Sequence, residues 1–587
     1  MVDPKRSGAP ALVAVVGAGL LLALALPTVF PIWGRAEILP GGQLTVLAYV
    51  GLVPLLWAVR GASPRRAFWL GWLAGVAYFS LSIWWIDVAM HTFGGIPNYL
   101  AVPVLYLLIF YLALFWGAAC ALGGWIARGL GWPLWVVLPP LWTALEILRS
   151  YLFSGFPWAD VGYAIARDRL GVQWASLFGV YGLAFVVVLC NAALAEILWP
   201  VGPSREGEPG GAPPRGAIGG SARRAGAVAL VLGLAVPHLY GAFRLRAIDR
   251  QLAAAPTAKV GLVQGNVDQK IKNAGVTGGP MTGWQYDQFI LSRFLPLTEQ
   301  ADRDGMDLIA WPEASYPRDL PSRPARLPSF GLPSLHAQLL LGGVTFGIAN
   351  GRRSLTNSAF ALAPDLSVVG QYDKHHLVPF GEYVPLERTL HLPIHALVPD
   401  IGFFDPGETL ETFGFEERPK VAGTGAPAPR HVSYGPLICF DAIFPEIGVG
   451  FAREDPDFLV NVTNDAWYGF SSAAYQFLSI VTVRAVETGK AVARSANTGI
   501  SAFIDPAGRV VQRTSIGLVD TDDDSVSADR AVPPVLLEGR VPLLRAKTPY
   551  VVIGDSFAYL CAAFAIAAWW LARRRAAPPP TGGVQTP

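Results

Sequence analysis

Of 587 residues, 52% are hydrophobic and 15% charged, against about 25% charged in an average soluble chain. The formal net charge of +2 excludes a nucleic-acid partner recruited by charge, and the apolar excess places much of the chain in lipid. Four cysteines, Cys120, Cys190, Cys439 and Cys561, form no CxxC pair, so neither a zinc knuckle nor a redox couple is indicated.

A helix needs about 20 apolar residues to cross a bilayer core. Such stretches fall at 10–32, 44–60, 68–90, 98–124, 133–152, 172–199, 225–245 and 549–572, predicting about eight spans. Lys5 and Arg6 precede the first, but the bulky "PTVFPIWGRAEIL" after it offers no small-residue cleavage site, so this helix is read as retained. With the N-terminus inside, Lys5, Arg6, Arg60, Arg65, Arg66, Arg128, the loop with Arg205, Arg215, Arg223 and Arg224, and Arg573–Arg575 are all cytoplasmic. Arg35, Arg149, Arg167 and Arg169 are the exceptions to this positive-inside bias. The Gly/Pro-rich 202–222 reads as a flexible cytoplasmic loop.

Residues 246–548 differ in character. Short β-like runs occur at 259–267, 306–313, 337–346, 358–363, 433–441, 457–465 and 500–511, with helical runs at 283–303 and 472–489. The strands are apolar nearly throughout, as in a sheet covered by helices. The predicted organisation is therefore an N-terminal membrane domain of seven transmembrane helices (1–245), an extracytoplasmic α/β domain (246–548), a last transmembrane helix (549–572) and a disordered cytoplasmic tail (573–587).

In that α/β domain three apolar runs end on a reactive residue. "LIAWPEAS" presents Glu313, "YDKHHLVPFGEYVP" presents Lys374 and then Glu382, and "LICFDAIFPE" presents Cys439. Strand ends are where open α/β sheets build their sites. A cysteine attacks as thiolate, a carboxylate can take its proton, and an ammonium can stabilise the oxyanion that forms. His375 and His376 read as structural or surface residues; a Cys–His dyad is the alternative. Cys120, Cys190 and Cys561 lie in apolar stretches and read as packing residues. In the membrane part, Glu146 and Arg149 share a helix face, as functional candidates at membrane depth or as a structural ion pair. Asp87 reads as interfacial.

"WPE", "DKHHLVPFGEYVP" and "ICFDAIFPE" resemble the Glu-Lys-Cys motifs of the nitrilase superfamily. With "NDAWYG" (464–469), "SGFPWADVGY" (154–163) and the seven-plus-one layout, the whole chain resembles the membrane-embedded apolipoprotein N-acyltransferases. The resemblance implies an α-β-β-α sandwich set over a multi-pass α-helical membrane bundle in a bacterial inner membrane, with both termini cytoplasmic. It implies Glu313 as general base, Lys374 as oxyanion stabiliser, Cys439 as nucleophile and Glu382 as their support. It makes Phe440, Asp441, Tyr383 and Trp467 candidate substrate contacts. Phe440 and Asp441 stand where that family usually has Tyr and Glu, and Asn273 stands near its usual Trp. The implied reaction is ping-pong: an acyl chain passes from a phospholipid to the thiol, then to the free amine of a diacylated apolipoprotein. No metal or cofactor is implied, and a monomer is the default. A membrane-tethered amidase of the same superfamily is the alternative. A transporter is a third reading, but it leaves the Glu-Lys-Cys set unexplained.

Overall fold

The computed structural model describes residues 8–28, 44–200, 217–272, 283–327, 334–349, 352–379, 381–383, 404–418, 428–469, 471–514 and 532–576. Asn273, most of the 202–222 loop and the 577–587 tail lie outside them. Among the described residues, five helices are long and apolar enough to cross a membrane: Asn98–Leu130, Leu134–Ser154, Gly171–Leu198, Gly220–Ala254 and Ser556–Ala576. A sixth candidate is a pair, Pro64–Ser82 and Trp85–Phe93, bent by 53°.

The two remaining expected spans are shorter. The first is the helix Ala9–Ala23, and the second is broken into Val46–Val50 and Val53–Val59. Composition alone could not show that break. It is mended in three dimensions: Asn191 Oδ1 accepts from Leu52 N at 2.8 Å, and its Nδ2 donates to Ala48 O at 2.7 Å. The seventh expected span is longer than its apolar core, running Ala217–Ala254 and past the boundary read at 245.

Among the described residues, thirteen strands form two sheets. The first has the order β13-β1-β2-β4-β5-β6, with β3 also on β4. Its strands are β1 (Thr257–Gln264), β2 (Leu308–Ala310), β3 (Leu320–Pro321), β4 (Gln338–Ala349), β5 (Arg352–Leu362), β6 (Val368–Asp373) and β13 (Val535–Pro542). The second has the order β12-β11-β10-β9-β8-β7, built from β7 (Phe413–Glu416), β8 (His431–Ile438), β9 (Phe458–Thr463), β10 (Ala491–Ala496), β11 (Ala502–Ile504) and β12 (Val510–Arg513). The central strands β1-β2-β4 and β8-β9-β10 are parallel, and every residue of β2, β9 and β10 is buried. The sheets face each other: Tyr434 on β8 donates to Gln338 on β4 at 2.8 Å, and Ser495 on β10 donates to Ala310 O on β2 at 3.0 Å. Helix Gly283–Arg303 covers the first sheet; Pro445–Arg453 and Ser472–Thr488 cover the second. This is the expected α-β-β-α arrangement.

The sandwich and the helical bundle share one hydrophobic core, from Ala11 and Val15 through Trp158 to Phe477 and Phe503. All of Ser472–Thr488 is buried, because one face lies on the sheet and the other on the bundle. Gln476 is the hub of that contact. Its Oε1 accepts from Trp85 Nε1 at 3.3 Å and Trp158 Nε1 at 2.8 Å, and its Nε2 donates to Pro27 O and Ser82 O. A second tie forms where helix Ala175–Leu198 breaks at Gly179, which has φ +65°. The break leaves the Val180 N–H without a helical acceptor, and Glu487 Oε1 accepts it at 2.7 Å.

Candidate active site

The ends of strands from both sheets bring the expected residues together. Glu313 follows β2, Lys374 follows β6, Cys439 follows β8, and Asn464 follows β9. Cys439 sits at φ +42° and opens the turn Cys439–Ile443. A left-handed backbone at a non-glycine residue is strained and lifts the side chain off the strand axis. Glu313 lies where the chain crosses β4 so closely that a Cβ on Gly342 would fall 2.5 Å from Pro312 O and 2.7 Å from Glu313 Cα. Only glycine fits there.

The charged groups form a closed ring. Lys374 Nζ donates to Glu313 Oε1 at 3.0 Å and to Glu382 Oε1 at 2.9 Å. Asn357 Nδ2 donates to the same two oxygens at 2.8 and 2.9 Å. Asn464 N donates to Glu313 Oε2 at 3.0 Å, and Val378 N to Glu382 Oε2 at 2.8 Å. Burial disfavours the Lys374 ammonium, yet Glu313 and Glu382 outweigh it and hold the group well above its ordinary value. Burial pushes the Cys439 thiol up, as does Glu313, with Lys374 and the neighbouring Thr463 hydroxyl pulling the other way. The Cys439 side chain is thus held as a thiol, within electrostatic reach of Glu313 and Lys374.

Asp441 is fully buried. Its Oδ1 accepts from His376 N at 2.8 Å, and its Oδ2 accepts from Tyr372 OH at 2.9 Å and Ile438 N at 3.3 Å. It therefore clips the loop after Lys374 to the end of β8, and burial raises its carboxyl to about 6. Phe440 is also buried, edge-on to Phe444 at 5.3 Å. Neither presents an open surface to a substrate. Trp467, 37% exposed, does; it stands on the turn Asp465–Tyr468, whose Tyr468 packs on Trp85 of the bundle at 4.8 Å. Tyr383 donates to Ser154 Oγ at 2.5 Å, joining the "PFGEYVP" loop to "SGFPWADVGY".

His376 stacks on Phe444 at 3.7 Å and lies 3.5 Å from Glu446; the contacts of His375 and His376 do not include Cys439. Arg149 pairs with Glu146, and its Nη1 donates to Phe156 O and Trp158 O. The pair thus braces the 154–163 loop from inside the bundle. Asp87 is half-buried at the bend before Val88–Phe93.

Sequence reading missed Asn357, Asn464 as a backbone donor, and Lys272. Lys272 is buried and donates to Ala314 O at 3.1 Å; burial lowers it to about 8, against the pull of Glu313. Asn357 is one polar residue in the strand "RRSLTNSAFAL", and no local pattern sets it apart. Among the described residues no cluster of His, Cys, Asp and Glu is placed to hold a metal.

Known families match in the same two parts. Residues 18–193 match the apolipoprotein N-acyltransferase N-terminal domain, and residues 259–521 match the carbon-nitrogen hydrolase domain. The apolipoprotein N-acyltransferase of Geobacter metallireducens is 34% identical over 555 residues, covering 93% of this chain and 92% of that one. The chain belongs to the apolipoprotein N-acyltransferase family. The family member of Caulobacter vibrioides is 32% identical over 92% of this chain and 90% of its own. Among solved structures, Saccharomyces cerevisiae Nit3, of the nitrilase superfamily, aligns with 52% of this chain at 16% identity and a TM-score of 0.32.

Proposed function

We propose that this acyltransferase moves an acyl chain from a phospholipid, through a thioester on Cys439, to the N-terminal amine of a diacylglyceryl-cysteine apolipoprotein. The observation that carries the reading is the meeting of Glu313 and Lys374, from one sheet, with Cys439, from the other, inside a domain whose covering helix is shared with the membrane bundle.

In the first half-reaction Glu313 takes the thiol proton and the Cys439 thiolate attacks the ester carbonyl. The Lys374 ammonium stabilises the oxyanion. Glu313 returns the proton to the departing lysophospholipid oxygen, leaving the thioester. In the second, the acceptor amine attacks, Glu313 removes its proton, and the thiolate leaves as the amide forms. Glu382 and Asn357 hold Lys374 and Glu313 in register through both steps. Trp467 and Tyr383, on loops against the bundle, are the proposed substrate contacts. Both substrates carry lipid chains, and each buried methylene contributes about 0.8 kcal/mol to binding.

The localisation proposed with this function is a bacterial inner membrane, with the sandwich extracytoplasmic, both termini cytoplasmic, and the protein a monomer. In support, Pro27, Ser82 and Trp158 meet Gln476 at the sandwich. At the other end of the bundle Arg575 donates to Leu130 O, beside Arg128 and the basic C-terminal run. One end of the bundle thus faces the sandwich and the other carries the positive charge expected inside.

The test is the intact mass of the full chain incubated with phospholipid. A gain of one acyl chain, removed by hydroxylamine and absent in Cys439→Ala, is expected; an unchanged mass with folded protein would sink the covalent mechanism. Adding a diacylated lipopeptide should discharge the chain to amide. Release as free acid would instead establish the amidase.

A further inference from the structure

Cys439 and Thr463 are neighbours across two parallel strands. Ile438 on β8 pairs with Val462 on β9, and Cys439 and Thr463 are the next residues along each. The Thr463 hydroxyl is a hydrogen-bond partner of the Cys439 sulfur. Its backbone is fixed in the middle of the sheet, where Thr463 O accepts from Asn497 N at 3.0 Å. No step of the mechanism above uses this residue.

The same hydroxyl has a second partner. Thr463 Oγ1 donates to Asp465 Oδ1 at 3.0 Å. A hydroxyl carries one hydrogen and two lone pairs. While the hydrogen points to Asp465, a lone pair is left for the sulfur, which suits a neutral S–H. A thiolate accepts and cannot donate, so it needs the hydrogen instead. Asp465 is able to release it, because Arg494 Nη2 donates to both carboxylate oxygens, at 3.0 and 2.7 Å. The guanidinium is itself held: Nε donates to Ile500 O at 3.2 Å, Nη1 donates to Asn461 Oδ1, and Cζ lies 4.2 Å from the centre of the Phe477 ring. A Cβ on Gly499, at φ +79°, would fall 2.5 Å from Asp465 Oδ2, so the loop after β10 also pins the carboxylate. Cys439, Thr463, Asp465 and Arg494 are all buried, and a sulfur anion there depends on protein donors for its solvation.

We propose that the Thr463 hydroxyl is a further catalytic group, which accepts from the resting thiol and turns from Asp465 to donate to Cys439 Sγ when the thiolate forms. The inference rests on the covalent acyl transfer argued above and deepens it. In the first half-reaction Glu313 takes the thiol proton and the hydroxyl hydrogen swings to the sulfur; no covalent bond to Thr463 forms or breaks. Once the thioester has formed the sulfur carries no charge, and the hydroxyl returns to Asp465. In the second half-reaction the departing thiolate meets the same donor.

The experiment compares Thr463→Val, which keeps the side-chain shape, with Thr463→Ser, which keeps the hydroxyl. Two rates are read by mass on the full chain: alkylation of Cys439 by iodoacetamide as a function of pH, and acylation of Cys439 from phosphatidylethanolamine vesicles. Glu313, Lys374, Asp465 and Tyr468 are the described ionisable groups facing the sulfur. Both variants keep all four, so a difference between them belongs to the hydroxyl. Thr463→Val should slow both reactions about tenfold or more, its alkylation curve displaced upward by about one pH unit. Thr463→Ser should recover most of the rate that Thr463→Val loses. Thr463→Ala also lacks the hydroxyl; it carries the same expectation as Thr463→Val and covers a Thr463→Val protein that does not fold. A packing role gives the opposite order, valine fast and serine slow, and would overturn the proposal, as would equal rates in all the proteins. Alkylation needs no lipid. The expected order in alkylation, with a wild type that takes up no acyl chain, would support the hydroxyl donor and overturn the phospholipid reading beneath it, a separable result.

Discussion

Lys374 donates to two carboxylates at once, and Asn357 donates to the same two oxygens. The ring therefore carries one positive and two negative groups, which suits the proposed role of Glu313 as base. Asn357 contributes two donors to charged acceptors, each worth about 1.5–3 kcal/mol. Asn357→Ala should slow Cys439 acylation by about tenfold or more, and Asn357→Asp should slow it further by adding a third carboxylate. Acylation rates read by intact mass check both; equal rates in wild type and Asn357→Ala would remove Asn357 from the site. Asp441 gives a pH signature. Its folded carboxyl holds a proton up to about 6, against an ordinary 3.8. Between those values the folded state binds the extra proton, so stability contributed by Asp441 falls as pH rises through about 4 to 6. Asp441→Asn should flatten that slope in melting temperatures taken from pH 4 to 7. An unaltered slope would assign it to other groups.

Helix Ser472–Thr488 is the element that couples sandwich to bundle. Removing the Gln476 amide would leave two indole N–H groups and two backbone carbonyls without their partner, and an unsatisfied buried group costs about 1–3 kcal/mol. Gln476→Leu should therefore destabilise by at least about 2 kcal/mol, visible as a lower midpoint in thermal unfolding followed by tryptophan fluorescence. A midpoint equal to wild type would show that water or rearrangement replaces these bonds. The Glu146–Arg149 pair works at the same scale. Its charges are buried, but the guanidinium serves the carbonyls of Phe156 and Trp158, so the pair fixes the loop that Tyr383 touches.

One apolar cluster runs through both halves where the sequence suggests two domains, while a second lies under helix Gly283–Arg303. Ala11, Trp158, Phe477 and Phe503 belong to a single apolar cluster. Residues 255–548 expressed without the bundle should aggregate, since the helix Ser472–Thr488, buried on all sides, would turn an apolar face to water. Size-exclusion chromatography of that fragment checks this; a monodisperse folded peak would mean the sandwich closes independently.

Much of this was legible in the residues themselves. Glu313, Lys374 and Cys439 each end an apolar strand run, a local pattern, and the apolar stretches are visible to composition. β10, "AVARSA", escaped because its buried Arg494 breaks the apolar pattern; that charge is met by Asp465, 29 residues away in sequence. Asn357, Asn464 and Lys272 escaped for the same reason: what each does depends on a partner brought close by strand order. The break in 44–60 is set by Asn191, more than a hundred residues on. The sequence by itself determined which segments are apolar and which strand ends carry a thiol, a carboxylate and an ammonium, because these are properties of neighbouring residues. Only the tertiary structure decided which carboxylates share one lysine, which helix belongs to both halves, and which hydroxyl stands beside the thiol, because each is a contact between residues the chain keeps far apart.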